Sequence, residues 1–597
     1  MILDIRCLFF VILLYFDTVY TRQCPFSIEP PCLCTSTKYE AISVTCDKAT
    51  SLDHVLKALK DPKATINSLS IVNTPIEELP AFALDGIQVK RLFFRNNGML
   101  AIHPDAFIGS LSETIEELEI RDNHLEHIPQ LGLPSLENLK ILTLANNFIT
   151  KIEDNAFLSY LSRTKIVKLD LSSNNLTYLQ PQALLGLESL KQLFLDKNGL
   201  TKIPTESLEN VQTLEELSLS VNHIEIVEAK SLPLPGLKSL SLEVNQIRQI
   251  YGEAFESVPQ LAYLYLGNNL FSIIDPTTFF YLKQLKMLSL SHNKDLTEIK
   301  VDSFQFLPLL IRLEMSDCSL ITISPQAFHK MPKIQVLTLN RNQLINIPAA
   351  TFSAFTELVS IDLSSNAINY VEDFAFSQLP TLGHLDLSGN RLETLPPHIL
   401  YDSLHLGYAA KKRTLYLHNN PWRCDDNLQW LRKWLRENGD VQTSPTDSLY
   451  ARCWTPANLS GLDIRQTDPV RSHMPPKSIA GEVMRKYPVN PPKTVNVPLD
   501  PNLMNPELPQ ISQANLLVII MGIVFGVVAI SLIVIITARY AKPSFSQKTN
   551  PNSAAPSINS AFSTTLSGSA LFNSDAYRHR SATNANVFLN RPRYWWF

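Results

Sequence analysis

The chain has 597 residues, too many for one compact core, so the length predicts several domains. Its 52 basic and 56 acidic residues nearly balance, and this bulk charge excludes a protein whose main ligand is a polyanion. The balance hides a division of charge along the chain, because the tail from Arg539 onward has 7 basic residues and one acid. The acidic charge therefore belongs to the part that precedes the tail.

The N-terminus carries the signature of a secretory signal peptide. In MILDIRCLFFVILLYF an apolar run of about ten residues follows one arginine, and a polar segment, DTVYTRQ, comes next. We predict a signal peptide over residues 1–22, with cleavage between Thr21 and Gln23. The secretory route implies an oxidising compartment for the cysteines that follow.

A cluster of four cysteines comes directly after the predicted cleavage site. Cys24, Cys32, Cys34 and Cys46 predict two disulfides, and the sequence alone allows three pairings. A zinc site is the competing interpretation of such a cluster. The secretory route and the lack of histidine within the cluster disfavour it.

A repeated motif fills the middle of the chain. Segments such as LKILTLANNFI, LEELSLSVNHI and LGHLDLSGNRL share the template LxxLxLxxNxL. An interval of 49 residues separates Asn293 from Asn342, and Cys318 lies at its midpoint. We therefore predict that Cys318 occupies the asparagine position of one repeat as a buried, inert thiol. The template asparagines are Asn97, Asn123, Asn147, Asn174, Asn198, Asn222, Asn245, Asn269, Asn293, Asn342, Asn366, Asn390 and Asn420.

The template has the periodicity of a short strand with one buried face. Its two leucines alternate with polar residues, and stacking such strands builds a parallel sheet with a continuous leucine core. The asparagine amide is expected to satisfy backbone groups of the buried turn. Phenylalanines in segments such as IEDNAF and IYGEAF are expected to fill the core beneath the returning part of each repeat.

This pattern resembles the typical 24-residue class of extracellular leucine-rich repeats, and the resemblance covers residues 66–420. It implies an α/β fold, a leucine-rich-repeat solenoid with a curved parallel β-sheet, made of about 14–15 repeats over residues 63–420. Residues 23–62 resemble the N-terminal cap of the same proteins. That resemblance implies disulfides Cys24–Cys34 and Cys32–Cys46.

The segment after the repeats resembles the C-terminal cap of this class, which we place at residues 421–465. NNPWRCDDNLQWLRKWLRENGD contains Trp430, Leu431, Trp434 and Leu435 at helical spacing, which would close the end of the core. The family pattern has four cysteines, but here Asp426 stands in the second position and no cysteine follows Cys453. We therefore expect a single bridge, Cys424–Cys453.

A membrane anchor is predicted beyond the caps. Residues 466–513 are rich in proline and predict an extended extracellular stalk. Residues 514–538 predict a transmembrane helix, because 516–537 are uncharged over 22 residues. Arg539 and Lys542 follow it, so the positive-inside rule predicts a single-pass type I plasma-membrane protein with an extracellular N-terminus.

Two features of the anchor and tail suggest partners. Gly522 and Gly526 form a GxxxG motif that is compatible with a homodimer. Residues 539–597 predict a disordered cytoplasmic tail, and its C-terminal Phe597 is compatible with a PDZ-type groove. The alternative is that the terminal aromatic residues lie against the bilayer.

The sequence contains no motif of a catalytic, cofactor-binding or metal-binding site, so we expect neither an enzyme nor a cofactor. Candidate binding residues are those that flank the strand leucines on the concave face. Tyr263 and Tyr265 are predicted to project from the same face of one strand. Exposed tyrosines are typical of an interface hot spot. The alternative is that they reflect the ordinary preference of tyrosine for strands. The other candidates of this ligand face are Phe194, Glu216, Met287 and Arg312.

Two N-glycosylation sequons lie in the predicted ectodomain, at Asn175 and Asn458. The overall pattern resembles single-pass leucine-rich-repeat surface proteins of the chaoptin and connectin kind. That resemblance implies cell-surface recognition, adhesion or co-receptor activity with a protein ligand and no nucleic-acid partner. The alternatives are an innate-immune receptor that acts through a partner and a non-catalytic regulatory subunit of a secreted enzyme.

Overall fold

The computed structural model describes residues 28–37, 40–59, 65–349, 351–404, 413–446 and 449–467. The predicted signal peptide, transmembrane helix and tail lie outside these ranges, as do Cys24, Gly522, Gly526 and Phe597. Among the residues within them, no helix is both long and apolar enough to span a bilayer. All of the described residues belong to one compact unit.

One sheet of 17 strands extends through the described part of the chain. It begins with Cys32–Thr37, which pairs antiparallel with Glu40–Asp47, and every later strand is parallel to the one before it. This confirms the predicted parallel solenoid. The later strands are Ile66–Val72, Val89–Arg95, Glu117–Arg121, Ile141–Thr143, Lys168–Asp170, Gln192–Phe194, Glu216–Ser218, Ser239–Ser241, Tyr263–Tyr265, Met287–Ser289, Arg312–Glu314, Val336–Thr338, Ser360–Asp362, His384–Asp386 and Thr414–Tyr416.

The buried face of the sheet is made of the template leucines. In the strand Tyr263–Tyr265 only Leu264 is buried, and the aligned Leu240 and Leu288 lie on either side of it. Burying one leucine side chain contributes roughly 1.5–3 kcal/mol, so the stacked leucines supply the main apolar stabilisation. The residues on both sides of each leucine point to the other face, which is called the exposed sheet face below.

The turn after each strand uses a left-handed backbone conformation. The residue before every template position, from Asn73 to Asn419, has a positive φ, and the non-glycine values lie between 51° and 66°. Asparagine, aspartate and glycine tolerate this conformation, and they fill eight of these positions. Val221 and Val244 are β-branched exceptions, with φ of 57° and 55°.

The template asparagines form a hydrogen-bonded column. Asn222 is typical: its Nδ2 donates to the carbonyl oxygens of Leu195 and Leu219, both at 3.0 Å, and its Oδ1 accepts from the Leu200 N–H at 3.0 Å. Each side chain thus joins its own turn to the preceding repeat. A buried backbone group without such a partner would cost about 1–3 kcal/mol.

Cys318 occupies this column, as the spacing predicts. Its side chain is fully buried and not disulfide-bonded, and its Sγ donates to the Leu290 carbonyl oxygen at 3.1 Å. Its N–H donates to Oδ1 of Asn342 at 2.8 Å. Burial raises the pKa of the thiol to about 11, so the nucleophilic thiolate is disfavoured. Thr74 takes the same position in the first repeat and is also buried.

Phenylalanines fill the core on the side opposite the sheet. Phe279, Phe304, Phe328, Phe352 and Phe376 are buried, and successive rings stack with centroids 5.4 to 6.5 Å apart.

Short parallel strand pairs lie outside the long sheet. They are Glu78–Leu79 with Ala101–Ile102, Ile226–Val227 with Gln249–Ile250, Glu298–Ile299 with Thr322–Ile323, Asn346–Ile347 with Tyr370–Val371, and Trp422–Arg423 with Cys453–Thr455.

Helices are few and short in the described ranges. The two longest are Leu52–Leu59 in the N-terminal cap and Gln429–Glu437 in the C-terminal cap. Leu431 and Leu435 of the latter are buried and belong to the same hydrophobic core as the repeats. The remaining helices are Ser110–Thr114 and Thr205–Leu208, and the 3-10 turns are Gly252–Phe255, Asp426–Leu428, Ala457–Leu459 and Ile464–Gln466.

Disulfides close both caps. Cys32 is bonded to Cys46, across the antiparallel pair of strands that starts the sheet. Cys34 is also disulfide-bonded, and its predicted partner Cys24 lies outside the described residues. Cys424 is bonded to Cys453, which lies 29 positions later in the sequence. Asp426, at the position of the missing cysteine, begins a 3-10 turn.

Candidate functional site

The strand register arranges the predicted ligand-face residues in two rows. Glu216, Tyr263, Met287 and Arg312 belong to one row, in which Ser239 stands between Glu216 and Tyr263. Phe194 and Tyr265 belong to the second row, in which Ser218 and Ser241 separate them. The structure therefore brings Tyr263, Met287 and Arg312 to adjacent positions, whereas Phe194 lies three strands from the tyrosines.

The centre of these rows is defined here as the tyrosine patch. It consists of the ten outward-facing positions of five consecutive strands. These positions are Glu216, Ser218, Ser239, Ser241, Tyr263, Tyr265, Met287, Ser289, Arg312 and Glu314.

The two tyrosines differ in their surroundings. Tyr263 is 38% exposed and lies between Ser239 and Met287. Tyr265 is more deeply placed, between Ser241 and Ser289, which are both buried. Serines therefore flank Tyr265 on both sides and Tyr263 on one side only. Part of the Tyr263 ring is therefore accessible on the side of the small Ser239.

The pKa of the Tyr265 phenol is shifted by burial and by the charges of carboxylates. Burial raises the pKa of Tyr265 to about 12, and the negative charges of Glu243, Glu314 and Glu216 add to the effect. The phenol is therefore a neutral hydroxyl group at physiological pH.

Glu243 lies two residues beyond the strand Ser239–Ser241, outside the strand positions that were predicted as candidates, so sequence reasoning missed it. Its carboxylate lies beside Gly267 of the next repeat, because a Cβ on Gly267 would lie only 3.0 Å from the Glu243 Oε1. The same Cβ would lie 3.1 Å from the Ser291 carbonyl oxygen. Glycine at 267 thus leaves the space that the carboxylate occupies.

Other predicted candidates already have partners within the sheet face. Arg312 donates from Nε to Oε1 of Glu314 at 2.6 Å. Glu216 accepts from Nε2 of Gln192 at 2.6 Å. Only the contact between Arg312 and Glu314 is an ion pair, and exposed ion pairs contribute about 0–1 kcal/mol.

Phe194 lies at the edge of the candidate region. The ammonium group of Lys168 lies 5.0 Å from its ring centroid, in a cation–π contact with the preceding strand. This contact occupies one face of the ring, so Phe194 has less ring area to offer a ligand than the exposed Tyr263.

A buried polar network lies beside the patch, and the repeat template gave no signal for it. Asp196 is almost fully buried and accepts hydrogen bonds from the Ser218 hydroxyl and, at 3.0 Å, from the Ser220 N–H. The Ser220 and Ser241 hydroxyls are 2.6 Å apart and hydrogen-bonded. A buried carboxylate requires such donors, and this network fixes the surface next to Tyr265.

A second acidic group lies nearer the C-terminal end of the sheet face. Asp362, Asp386 and Tyr416 occupy adjacent positions of one row. Burial raises the pKa of Asp362, and the charge of Asp386 contributes to the increase. Each carboxylate also accepts the N–H of the serine two residues later, at 2.9 and 2.8 Å. These bonds give both aspartates a role in the turn, so we do not assign them to a ligand.

The predicted glycosylation residues are accessible. Asn175 is exposed and follows the buried Asn174, and Asn458 is exposed in the 3-10 turn of the C-terminal cap. Within the described ranges, no group of three or more His, Cys, Asp or Glu side chains is arranged to hold a metal ion.

Comparisons with known proteins agree with this architecture. The family described as leucine rich repeat matches residues 235–294, 292–344, 332–392 and 356–406. The BspA type leucine rich repeat region matches residues 63–183 and 100–232. The two sets of matches together extend from residue 63 to residue 406 with a gap of two residues.

Chondroadherin from Rattus norvegicus is 40% identical to the chain over 82 residues. The matched segment is 14% of this chain and 19% of chondroadherin, so the chain spans less than a fifth of that relative.

Two solved structures have the same fold. The TLR13–ssRNA13 complex superposes with a TM-score of 0.58 at 21% identity, covering 71% of this chain and 64% of that one. The glycosylated Toll–Spatzle complex of Drosophila gives 0.55 at 18% identity, covering 73% and 72%. At these identities the similarity establishes the fold alone. With its strand register, its asparagine column and these family matches, the chain belongs to the leucine-rich-repeat proteins.

Proposed function

We propose that this protein acts in cell-surface recognition, as an adhesion molecule or co-receptor that binds a protein ligand through the exposed sheet face. This is the concave face of the predicted solenoid. The observation that carries the proposal is the tyrosine patch, where an exposed tyrosine projects from a continuous sheet among small side chains. Tyrosine buries a large area at a low entropic cost, which is why it is common at interface hot spots.

The extent of the sheet face favours a protein as the ligand. The sheet face contains 15 strands, from Ile66–Val72 to Thr414–Tyr416. With about 4.8 Å between neighbouring strands, this gives a surface on the order of 67 Å long. A typical protein interface buries about 800 Å² on each partner, which this surface accommodates. Small ligands instead favour enclosed apolar pockets, and the outward rows are open and largely polar.

The charge of the patch disfavours a nucleic-acid ligand. Nucleic-acid binding depends on lysine and arginine contacts to phosphates. The one basic residue of the tyrosine patch, Arg312, is bonded to Glu314. The RNA in the TLR13–ssRNA13 structure belongs to that protein, and nothing in this patch resembles a phosphate-binding surface.

The proposal places the protein in the plasma membrane as a single-pass type I chain. The signal peptide at 1–22, the stalk at 466–513 and the transmembrane helix at 514–538 are parts of this proposal. Its further parts are homodimer contacts through Gly522 and Gly526 and a cytoplasmic PDZ-type partner at Phe597. The support for them is the hydropathy and charge of the sequence.

A glycan placed on the sheet face tests the proposed binding surface. Ser239→Asn creates the sequon Asn-Leu-Ser beside Tyr263, and Lys48→Asn creates Asn-Ala-Thr at the N-terminal end of the solenoid. Lys48 is exposed with a φ of 57°, which asparagine tolerates, so it is a matched control. The full-length variants would be expressed in cells, and each added glycan confirmed by a gel shift after glycosidase treatment.

We expect wild-type and Lys48→Asn chains to cause aggregation of transfected cells or to retain binding of the labelled ectodomain to intact cells. The glycan at position 239 is expected to abolish both activities. A glycosylated Ser239→Asn chain that aggregates cells as well as wild type would refute the proposed surface. A gel shift is also expected for wild type, from Asn175 and Asn458, and its absence would count against the secretory route.

A further inference from the structure

The residues that directly follow the template asparagines form a row outside the long sheet, one residue per repeat. Backbone hydrogen bonds fix the spacing of this row. The Phe148 N–H donates to the Leu125 carbonyl oxygen of the preceding repeat at 2.9 Å, and the Asn175 N–H donates to the Ile149 carbonyl oxygen at 2.9 Å. Phe148 and Asn175 are exposed, whereas the template asparagines before them are buried. The predicted glycosylation residue therefore directly follows a phenylalanine in this row.

Neighbouring side chains of the row contact each other. The rings of His124 and Phe148 have centroids 5.5 Å apart. In a later part of the row, Nε2 of Gln246 lies 3.1 Å from Nδ1 of His223. Because Asn175 has the next place after Phe148, a group attached to the Asn175 side chain begins within reach of the Phe148 ring.

The two sides of Asn175 differ in what they offer to such a group. Phe148, in the preceding repeat, is 48% exposed although its ring is large and apolar. Gly199, in the following repeat, has no side chain. His124 contacts the Phe148 ring from the repeat before it, and the neighbour on the other side is Asn175 itself. An apolar ring thus lies directly beside an attachment point for a sugar, in the sequon Asn-Leu-Thr.

We propose that the first N-acetylglucosamine of an N-glycan on Asn175 packs against the Phe148 ring, so that the glycan stabilises the solenoid and covers this row. The inference rests on the proposed function, because N-glycosylation requires the secretory route. The faces of the sugar ring carry C–H groups, which pack on an aromatic ring and remove apolar area from water. The sugar is covalently attached, so the contact costs little translational freedom.

A covered row also agrees with the proposed binding surface. A protein ligand that packed on Phe148 would collide with the bulky, hydrated glycan on the adjacent residue. The tyrosine strand Tyr263–Tyr265 lies four strands beyond Lys168–Asp170, the strand that precedes Asn175. At about 4.8 Å per strand this is on the order of 19 Å, so the first sugar does not compete with a ligand of the tyrosine patch.

A double-variant cycle on the full-length chain tests the contact. The four chains are wild type, Asn175→Gln, Phe148→Ala and the double variant, expressed in cells that add only high-mannose glycans. A gel shift after glycosidase treatment would establish which chains carry the glycan. Detergent-solubilised chains in a urea series would then receive a short protease pulse, and immunoblotting would measure the folded fraction that survives.

Phe374→Ala is the matched control for the ring. Phe374 is 47% exposed, nearly the same as Phe148, but it belongs to a repeat near the other end of the solenoid. Its loss is therefore expected to add to the effect of removing the glycan, whereas the loss of Phe148 is expected to cancel it. Digestion with endoglycosidase H provides a second control, because it leaves only the first N-acetylglucosamine on the asparagine.

We expect Asn175→Gln to raise the unfolding equilibrium constant roughly fivefold, which corresponds to the loss of about 40 Å² of apolar contact. In the Phe148→Ala background the same substitution should have no further effect, and in the Phe374→Ala background it should keep its full effect. Trimming the glycan to one sugar should preserve the stability of wild type.

The inference is wrong if the effect of the glycan is the same with and without the Phe148 ring, or if trimming to one sugar abolishes it. It is also wrong if Phe148→Ala blocks cell aggregation and leaves the effect of the glycan unchanged, because the ring then contacts a protein partner. A chain that is glycosylated at Asn458 but not at Asn175 would refute this inference and leave the secretory route intact. If wild type shows no gel shift at all, the secretory route and this inference both fail.

Discussion

At the scale of the residue, Val221 and Val244 occupy a backbone conformation that disfavours them. Their φ values of 57° and 55° lie in the left-handed region, where a β-branched side chain crowds the backbone. The equivalent positions hold asparagine in several other repeats, at 73, 96, 146, 268 and 419. A left-handed conformation costs a non-glycine residue roughly 1–2 kcal/mol, so the two valines reduce the stability of adjacent repeats.

We predict that Val221→Asn and Val244→Asn each stabilise the ectodomain by about 1 kcal/mol. The N–H groups of both residues donate to carbonyl oxygens of the next repeat, at 2.8 and 2.9 Å, and asparagine keeps these bonds. Urea unfolding followed by circular dichroism would measure the change. Lys197→Asn is the control, because Lys197 has the same conformation with an unbranched Cβ and should gain less. A loss of stability in both valine variants would contradict the argument.

The residues of the column and those of the patch differ in how far the sequence determines them. Cys318 could be assigned because the 49-residue interval fixes its place in a column of repeated hydrogen bonds. The position of Glu243 could not be predicted, because it depends on Gly267 of the next repeat, which leaves space for the Glu243 carboxylate. The template describes what all repeats share, whereas binding chemistry depends on what differs between neighbouring repeats.

At the scale of the element, the last strand of the sheet is closed by the C-terminal cap. Thr414–Tyr416 would otherwise be an open edge, but the Leu415 N–H donates to the Gln442 carbonyl oxygen at 2.9 Å and the Gln442 N–H donates to the Arg413 carbonyl oxygen at 2.9 Å. Unpaired edge strands promote aggregation between chains, so this backbone pairing protects the end of the solenoid from aggregation. The sequence predicted the cap helix from its spacing, but not this pairing, which depends on an irregular segment.

Arg413 stabilises the same cap through buried hydrogen bonds. Its guanidinium is 5% exposed and donates to the Leu404 carbonyl oxygen at 2.6 Å and to Oδ2 of Asp440 at 2.9 Å. The hydrogen bond from Arg413 lowers the pKa of Asp440. A lowered carboxyl pKa means that the ionised pair stabilises the fold above the ordinary pKa of aspartate, and this contribution is lost as the pH falls through the lowered value.

We predict that Arg413→Met destabilises the cap by about 1–3 kcal/mol, because the buried Leu404 carbonyl oxygen that the guanidinium satisfies loses its partner. Asp440→Asn should have a much smaller effect, since its carboxylate is exposed to water. Tryptophan fluorescence is a selective readout. All four tryptophans before the tail, Trp422, Trp430, Trp434 and Trp454, lie in this cap. Equal effects of the two substitutions would show that the buried contacts of Arg413 contribute little.

At the scale of the whole molecule, the solenoid has a one-dimensional design. Each strand of the long sheet pairs only with the strands before and after it, so stability is transmitted from repeat to repeat. The regular leucines and asparagines made this architecture predictable from the sequence. We therefore expect that unfolding which begins at one end of the solenoid extends into further repeats only as far as neighbouring repeats are energetically coupled.

Loss of the Cys424–Cys453 disulfide provides the test of this coupling. The bridge closes a loop of 29 residues, and loop-closure entropy assigns about 3–4 kcal/mol to such a crosslink. We predict that Cys424→Ala/Cys453→Ala lowers the midpoint of the tryptophan fluorescence transition well below that of circular dichroism, which reports on all repeats. Cys318→Ser changes an interior cysteine outside the cap and should leave the fluorescence and circular dichroism midpoints coincident. If the disulfide variant also unfolds in one coincident transition, the repeats are coupled strongly enough to act as a single cooperative unit, and local fraying of the cap is excluded.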